Sequence, residues 1–226
     1  MSFTLRNNNE NGGAGLGATI AVTLTGANVQ AGDLVVIGVG CATTAPDVLS
    51  SISDGTATYH LLGDNASGAT DHLQMAYLLG SETKATGLPT YQANFSGAGA
   101  SQREIHVWVF TPSATESLDT ERHDGNNASS AAIDTGAITT TGTDELCITV
   151  GYFDAAQAPS SMQINSVAAT GSMAPGGNQA SWYTQPSATF TGNGTATITG
   201  TRWMACIAAF KIGTSGPGSP PMFRGH

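Results

Sequence analysis

The architecture turns on Leu34-Val35-Val36-Ile37-Gly38-Val39, a stretch with no polar side chain. A run this short is strand-length, and its β-branched content favours a strand over a helix. A strand that is apolar at every position needs cover on both faces. A second such run, Leu146-Cys147-Ile148-Thr149-Val150, follows about 110 residues later. Acidic residues precede both: Asp33 before the first and Asp144-Glu145 before the second.

Outward from these runs the pattern alternates. Ile20-Ala21-Val22-Thr23-Leu24 has period 2, the signature of a half-buried strand. Near residue 105, Ile105, Val107 and Val109 fall on one strand face and His106, Trp108 and Phe110 on the other. Asp54-Gly55 marks a hairpin. Residues 7–18, NNNENGGAGLGA, read as a flexible arm after a short strand at residues 3–5. Residues 112–130 are polar and read as a connector. After Lys211-Ile212 comes GTSGPGSPPMFRGH, too rich in Pro and Gly to extend a sheet.

Further matches link the halves at a similar offset. Thr25-Gly26-Ala27 matches Thr135-Gly136-Ala137, and Ile52 matches Ile164. Met75-Ala76-Tyr77 matches Ser181-Trp182-Tyr183, Phe95-Ser96-Gly97 matches Phe190-Thr191-Gly192, and residues 105–110 match 205–210. This reads as a structural duplication or as coincidence between Thr- and Gly-rich strands. The expected organisation is an N-terminal strand and arm at 1–18, a β-sandwich at 19–212, and a contact tail at 213–226. The pseudo-repeats span about 19–111 and 130–212. Two arrangements fit: one antiparallel sandwich of about ten strands, or two small sandwiches in tandem. The single sandwich is favoured, because a unit of roughly 80 residues with few large apolar side chains covers its central strand poorly. The expected core contains Leu34, Val36, Val39, Ile105, Val107, Leu146, Ile148, Val150, Ile207 and Phe210.

Composition narrows the function. The 226 residues include 30 Thr, 20 Ser and 29 Gly, and only 10% are charged, with a net charge of −9. Seven scattered Lys and Arg cannot build a nucleic-acid surface. No apolar stretch is long enough for a helical membrane span. The opening MSFTLRNNNENGG has no secretory pattern, so a cytoplasmic origin is expected. Cys41, Cys147 and Cys206 each lie in or beside an apolar run and read as buried thiols. His60, His72, His106, His123 and His226 show no metal spacing. Asp54 and Asp119 are among the acids read as turn residues. No catalytic set, cofactor motif or metal site is expected.

Two surfaces remain as candidates. His106, Trp108 and Trp182 could form a stacking platform for a glycan, although an ordinary, half-buried strand face explains the first two better. Met222, Phe223 and Arg224 are the adhesive groups of the tail and candidate interface residues.

A resemblance adds to this reading. It is carried by Ala31-Gly32-Asp33-Leu34-Val35-Val36-Ile37-Gly38-Val39, then Ser51-Ile52-Ser53-Asp54-Gly55-Thr56-Ala57-Thr58-Tyr59, then residues 73–79, then Asn94-Phe95-Ser96-Gly97 with an aromatic-ended strand. The order resembles the jelly-roll-like β-sandwich structural proteins of tailed bacteriophages. It covers most of residues 19–212 with loose strand-and-turn motifs, so no site residue transfers. The resemblance implies a non-enzymatic virion protein, either a capsid decoration (cement) protein or a tail or baseplate component, assembled in the host cytoplasm. Its partners would be its own copies, as a homo-oligomer such as a trimer, and other virion proteins, with no nucleic acid and no membrane. The alternative is a carbohydrate- or host-receptor-binding module.

Overall fold

Residues 34–39 run through the middle of a sheet that is covered on both faces. The computed structural model describes residues 2–13, 17–43, 49–63, 65–67, 71–96 and 100–213. The first strands are β1 (Phe3–Gly13), β2 (Thr19–Thr23), β3 (Leu34–Thr43), β4 (Leu49–Ser53), β5 (His60–Leu61), β6 (Asn65–Ser67), β7 (Asp71–Leu78), β8 (Thr90–Phe95) and β9 (Ala100–Pro112). Then follow β10 (Glu116–Asp134), β11 (Ile138–Thr139), β12 (Leu146–Phe153), β13 (Ser160–Ile164), β14 (Val167–Ala168), β15 (Thr170–Met173), β16 (Gln179–Thr184), β17 (Thr191–Gly192) and β18 (Gly194–Ile212). The chain is an all-β, antiparallel, sandwich-like protein.

Each half contributes one large and one small sheet. The first large sheet has the order β1-β9-β3-β7-β5, with β6 also on β7, and its small sheet is β2-β8-β4. In the second half β10 pairs with β18 in a sheet that continues β18-β12-β16-β15, and β11 pairs with β17. The order β1-β9-β3-β7 is thus repeated as β10-β18-β12-β16. Tyr77 stands opposite Val36 as Tyr183 stands opposite Ile148. Thr23 and Thr90 share a hydroxyl hydrogen bond of 2.7 Å, and Thr139 and Thr191 one of 2.9 Å. These registers displace two of the sequence matches. Thr23 rather than Val29 is the counterpart of Thr139, so Thr25-Gly26-Ala27 does not overlie Thr135-Gly136-Ala137. Phe95, at the end of β8, does not overlie Phe190, which lies before β17.

Three cores separate four layers. Val35, Ile37, Val39 and Cys41 of β3 face the small sheet of their own half, with Val22, Tyr91 and Ile52. Leu34 and Val36 face the other way and pack with Leu146, Ile148, Val150 and Phe210 of the second half. Cys147 and Phe153 of β12 pack with Trp182, Ile164 and Ile207 in the third core. Two small sandwiches are therefore joined back to back through their large sheets, in place of one sandwich of about ten strands. The central strands get their second cover from each other, which removes the objection to small units. All ten expected core residues are at most 2% exposed.

The two large sheets interlock at glycines. On the interface face of β3, Leu34 and Val36 are followed by Gly38 and Gly40. A Cβ at Gly38 would lie 2.6 Å from a Val150 methyl, and one at Gly40 would lie 2.1 Å from the Tyr152 ring. The missing side chains are sockets for Val150 and Tyr152.

Two segments depart from the sequence reading. Residues 7–13 continue β1 and are not part of an arm. β1 pairs with β9 along its length, and alternate asparagines bridge to β2 and the turn after it: Asn7 Nδ2 donates to Ala27 O at 2.6 Å, Asn9 to Thr23 O at 2.8 Å and Asn11 to Ala21 O at 2.7 Å. The expected connector at 112–130 is largely strand β10, which pairs with β18 from Glu116 to Asp134. It is polar because its far portion faces water: Arg122, His123, Asp124 and Gly125 are exposed. Charge on such a strand is a common defence against edge-to-edge pairing. The tail residues Met222, Phe223 and Arg224 lie outside the described residues.

Candidate functional site

β9 brings two of the expected platform residues, His106 and Trp108, into the joint between the sandwiches, and β16 takes Trp182 into the third core; none reaches the surface. Trp108 is 2% exposed, His106 1% and Trp182 0%. None can offer a ring face to a sugar. Trp108 and His106 are on the interface face because Ile105, Val107 and Val109 take the opposite face into the first core. Trp182 belongs to the third core, where its Nε1 donates to Gln163 O at 3.1 Å. The glycan-platform expectation for these three residues is corrected accordingly.

Their polar atoms are linked. Trp108 Nε1 donates to Ser181 Oγ at 2.7 Å, and Ser181 Oγ lies 2.6 Å from His106 Nδ1. Glu10 Oε2 lies 3.9 Å from His106 Nε2. Carboxylate, imidazole and hydroxyl thus stand in the order used to activate a serine nucleophile. Access is inverted, however. Ser181 is 0% exposed, while the Glu10 side chain at the far end is 25% exposed. A substrate could reach Ser181 only by parting the sheets. Burial also pushes His106 down to about 3, so the ring is neutral under ordinary conditions. The arrangement satisfies Trp108 Nε1, Ser181 Oγ and His106 Nδ1 within the joint and leaves His106 Nε2 without a hydrogen bond.

Glu104 lies further along the same strand face and is 0% exposed. Its Oε1 accepts from Asn178 N at 2.9 Å and from Gln102 Nε2 at 3.1 Å. Burial raises its pKa despite these hydrogen bonds. Gly12 and Gly176 leave room for it: a Cβ on either would collide with the Glu104 side chain.

A second cluster occurs once in each half. In β1 the pairing with β9 slips between Leu5 and Asn7, and in β10 the pairing with β18 slips between Leu118 and Thr120. A bulge re-aims the extra side chain. In the first half the residue at the slip is Arg6, whose Nε meets Asp33 Oδ2 at 2.8 Å. Asp33 Oδ1 accepts from Thr111 Oγ1 at 2.8 Å. In the second half the residue at the slip is Asp119, whose Oδ1 meets Lys211 Nζ at 2.7 Å. Asp33 and Glu145 occupy corresponding places ahead of β3 and β12, each accepting the amide three residues earlier, from Gln30 and Gly142.

The second-half cluster therefore holds two carboxyls and one ammonium. The Asp119 side chain is 1% exposed and Glu145 is 1% exposed. Thr141 donates to Asp119 twice, from Oγ1 at 2.5 Å and from N at 2.8 Å. Burial works against the Asp119 carboxylate, but Lys211 and Thr141 together hold its pKa below the ordinary value. The hydrogen bond to Asp119 holds the Lys211 ammonium above its own. Burial, reinforced by the Asp119 charge, raises Glu145. The sequence reading missed this cluster because it placed Asp119 in a connector, away from the Lys211 strand. Glu145 carried no signal beyond its place before β12.

The surface carries open hollows among the described residues. One of about 350 Å³ is lined by Ser53, Asp54, Gly55, Thr90 and Gln92. Asp54 is held by its turn, accepting from Thr56 N and Ala57 N at 2.8 Å each. No group of three or more His, Cys, Asp or Glu suited to a metal ion occurs among the described residues. Comparison of the chain with known families, with curated proteins and with solved structures finds no match.

Proposed function

We propose that this protein is a non-enzymatic structural building block, and specifically a virion component of a tailed bacteriophage, decorating the capsid or contributing to the tail through subunit contacts. The observation that carries the reading is the joint between the sandwiches. It consumes Trp108, His106 and Ser181, groups that a catalytic or stacking site would need, while Trp182 is buried in the third core. The phage assignment rests on the strand-and-turn resemblance of residues 19–212. The all-β architecture is compatible with it.

The alternative, a glycan- or receptor-binding module, now rests on the small sheet β2-β8-β4. No strand residue of that sheet is charged. On its outer side Gln92 Nε2 donates to Asn94 Oδ1 at 2.7 Å, and Asn94 Nδ2 donates to Ser51 Oγ at 3.0 Å. Such amides and hydroxyls suit a neutral polysaccharide.

Light scattering on the full chain at micromolar concentration separates the two. A stable trimer or larger assembly supports the structural reading. A monomer retained on immobilised neutral polysaccharide, and released by Gln92→Ala, supports the module and overturns the first reading.

A further inference from the structure

The cluster at Asp119 has the parts for a covalent bond that its first-half counterpart lacks. Asp119 lies on the first strand of the second sandwich and Lys211 on the last, next to each other in the β10–β18 pairing. Their polar atoms are 2.7 Å apart. Glu145 stands beside them at the head of β12, the strand on the other side of β18. Its Oε1 accepts from Gly142 N, while its Oε2 is buried without a hydrogen bond. In the first half Arg6 occupies the place of Asp119 and Thr111 that of Lys211, so the corresponding contacts there are a guanidinium and a hydroxyl on Asp33.

We propose that Lys211 Nζ and Asp119 Cγ are joined by an amide bond, with Glu145 relaying the proton. The step balances without an oxidant or co-reactant. The ammonium passes one proton to the Asp119 carboxylate, giving an amine and a carboxylic acid. The amine lone pair attacks Cγ and forms the N–C bond. Glu145 takes a second proton from nitrogen and returns one to the departing hydroxyl. The C–O bond breaks, one water leaves and Glu145 ends as it began. One N–H remains on the amide, and both charges of the pair are consumed.

Three features favour this step. The strand pairing and Thr141 hold the reactants together, so the bimolecular cost of amide formation is removed. The two donors on Asp119, Thr141 Oγ1 and Thr141 N, stabilise the oxygens on which charge develops as nitrogen adds. Glu145 shares the surroundings of Gly142 with Lys211 and acts electrostatically with Asp119, and its burial keeps it disposed to carry a proton. The product would clasp the first and last strands of the second sandwich and close a loop of the unfolded chain, as a disulfide does. This inference goes beyond the structural reading and does not depend on it.

Intact mass spectrometry of the denatured full chain tests it. The expected mass is one water, about 18 Da, below that of the sequence, with a branched proteolytic peptide containing both Asp119 and Lys211. Asp119→Asn should form the same amide with loss of ammonia, about 17 Da. Lys211→Arg keeps the charge pair but not the amine. It should show the full sequence mass, an unchanged β spectrum and a melting temperature lower by on the order of 10 °C. The full sequence mass for the native chain after prolonged incubation would overturn the proposal, however the variants fold. Unslowed bond formation in Glu145→Gln would remove Glu145 from the step while leaving the amide in place.

Discussion

Gly40 and His106 show how single positions govern the joint. Gly40 faces the Tyr152 ring so closely that a methyl group has nowhere to go. Gly40→Ala should cost roughly 1–3 kcal/mol by overpacking, read as a lower midpoint in denaturant with little change in slope. His106 makes the joint sensitive to acid. Unfolded, it takes a proton near 6.5, whereas folded it resists until about 3. Between those values the unfolded chain binds more protons, so this residue's contribution to stability falls as the pH drops and is fully lost below about 3. The loss is on the order of 5 kcal/mol. Glu10 and Glu104, both raised by burial, act in the opposite sense, because in the acid range the folded chain binds their protons more readily. His106→Asn isolates the effect: urea titrations from pH 7 to pH 3 should show a shallower loss of stability than in the parent chain. At this scale the sequence placed His106 and Trp108 on one strand face. It could not tell whether that face meets water or a second sheet, since aromatic and polar residues in alternation suit both.

At the scale of elements, the misread strands share a cause. Hydrophobic alternation detects strands that bury carbon, whereas β1 is held beyond Leu5 largely by hydrogen bonds. Asn7, Asn9 and Asn11 donate to backbone carbonyls, and the strand's own amides pair with β9. Gln185 fastens its start, with Oε1 accepting from Phe3 N at 2.7 Å and Nε2 donating to Phe3 O at 2.5 Å. None of this leaves a periodic apolar signal. Replacing Asn7, Asn9 and Asn11 together by Ala should cost about 2–3 kcal/mol, at roughly 1 kcal/mol for each hydrogen bond. Hydrogen exchange should quicken at β1 amides before it does so at β3. Equal acceleration throughout the first sheet would mean that the asparagines do not hold β1 separately. β10 was hidden for a related reason, since it presents charge to solvent on an exposed stretch, and of its described side chains the most buried are Glu116, Ile133 and the Asp119 carboxyl, two of the three acidic. The strands that were legible, β3, β9, β12 and β18, are those whose side chains fill the cores.

The whole molecule is one cooperative object made from two similar parts. The middle core takes Leu34, Val36, Met75 and Phe110 from the first half and Leu146, Ile148, Val150 and Phe210 from the second. Separating the halves would expose all of them. Calorimetry should therefore show a single transition, with the van't Hoff and calorimetric enthalpies in agreement. Residues 1–113 and 114–226 expressed apart should be poorly soluble alone and recover a folded complex when mixed. Two separated transitions in the intact chain would show the halves to be independent. The sequence revealed the repeated strand pattern but not the layering. An apolar run demands cover without saying whether it comes from its own unit or from the next.

The shared core also sets an order of events on the ribosome. β1 pairs with β9, so the first sandwich can close as soon as Pro112 has emerged. β10 pairs with β18, so the second must wait for nearly the last codon of the strand region. At about 5–20 residues per second, synthesis of the intervening hundred or so residues takes roughly 5–20 s. For that interval the nascent first sandwich presents Leu34, Val36, Met75 and Phe110 without their lid, beside other ribosomes making the same chain. Slow codons after residue 112 would lengthen the exposure, and a faster translation rate or a holding chaperone would shorten or shield it.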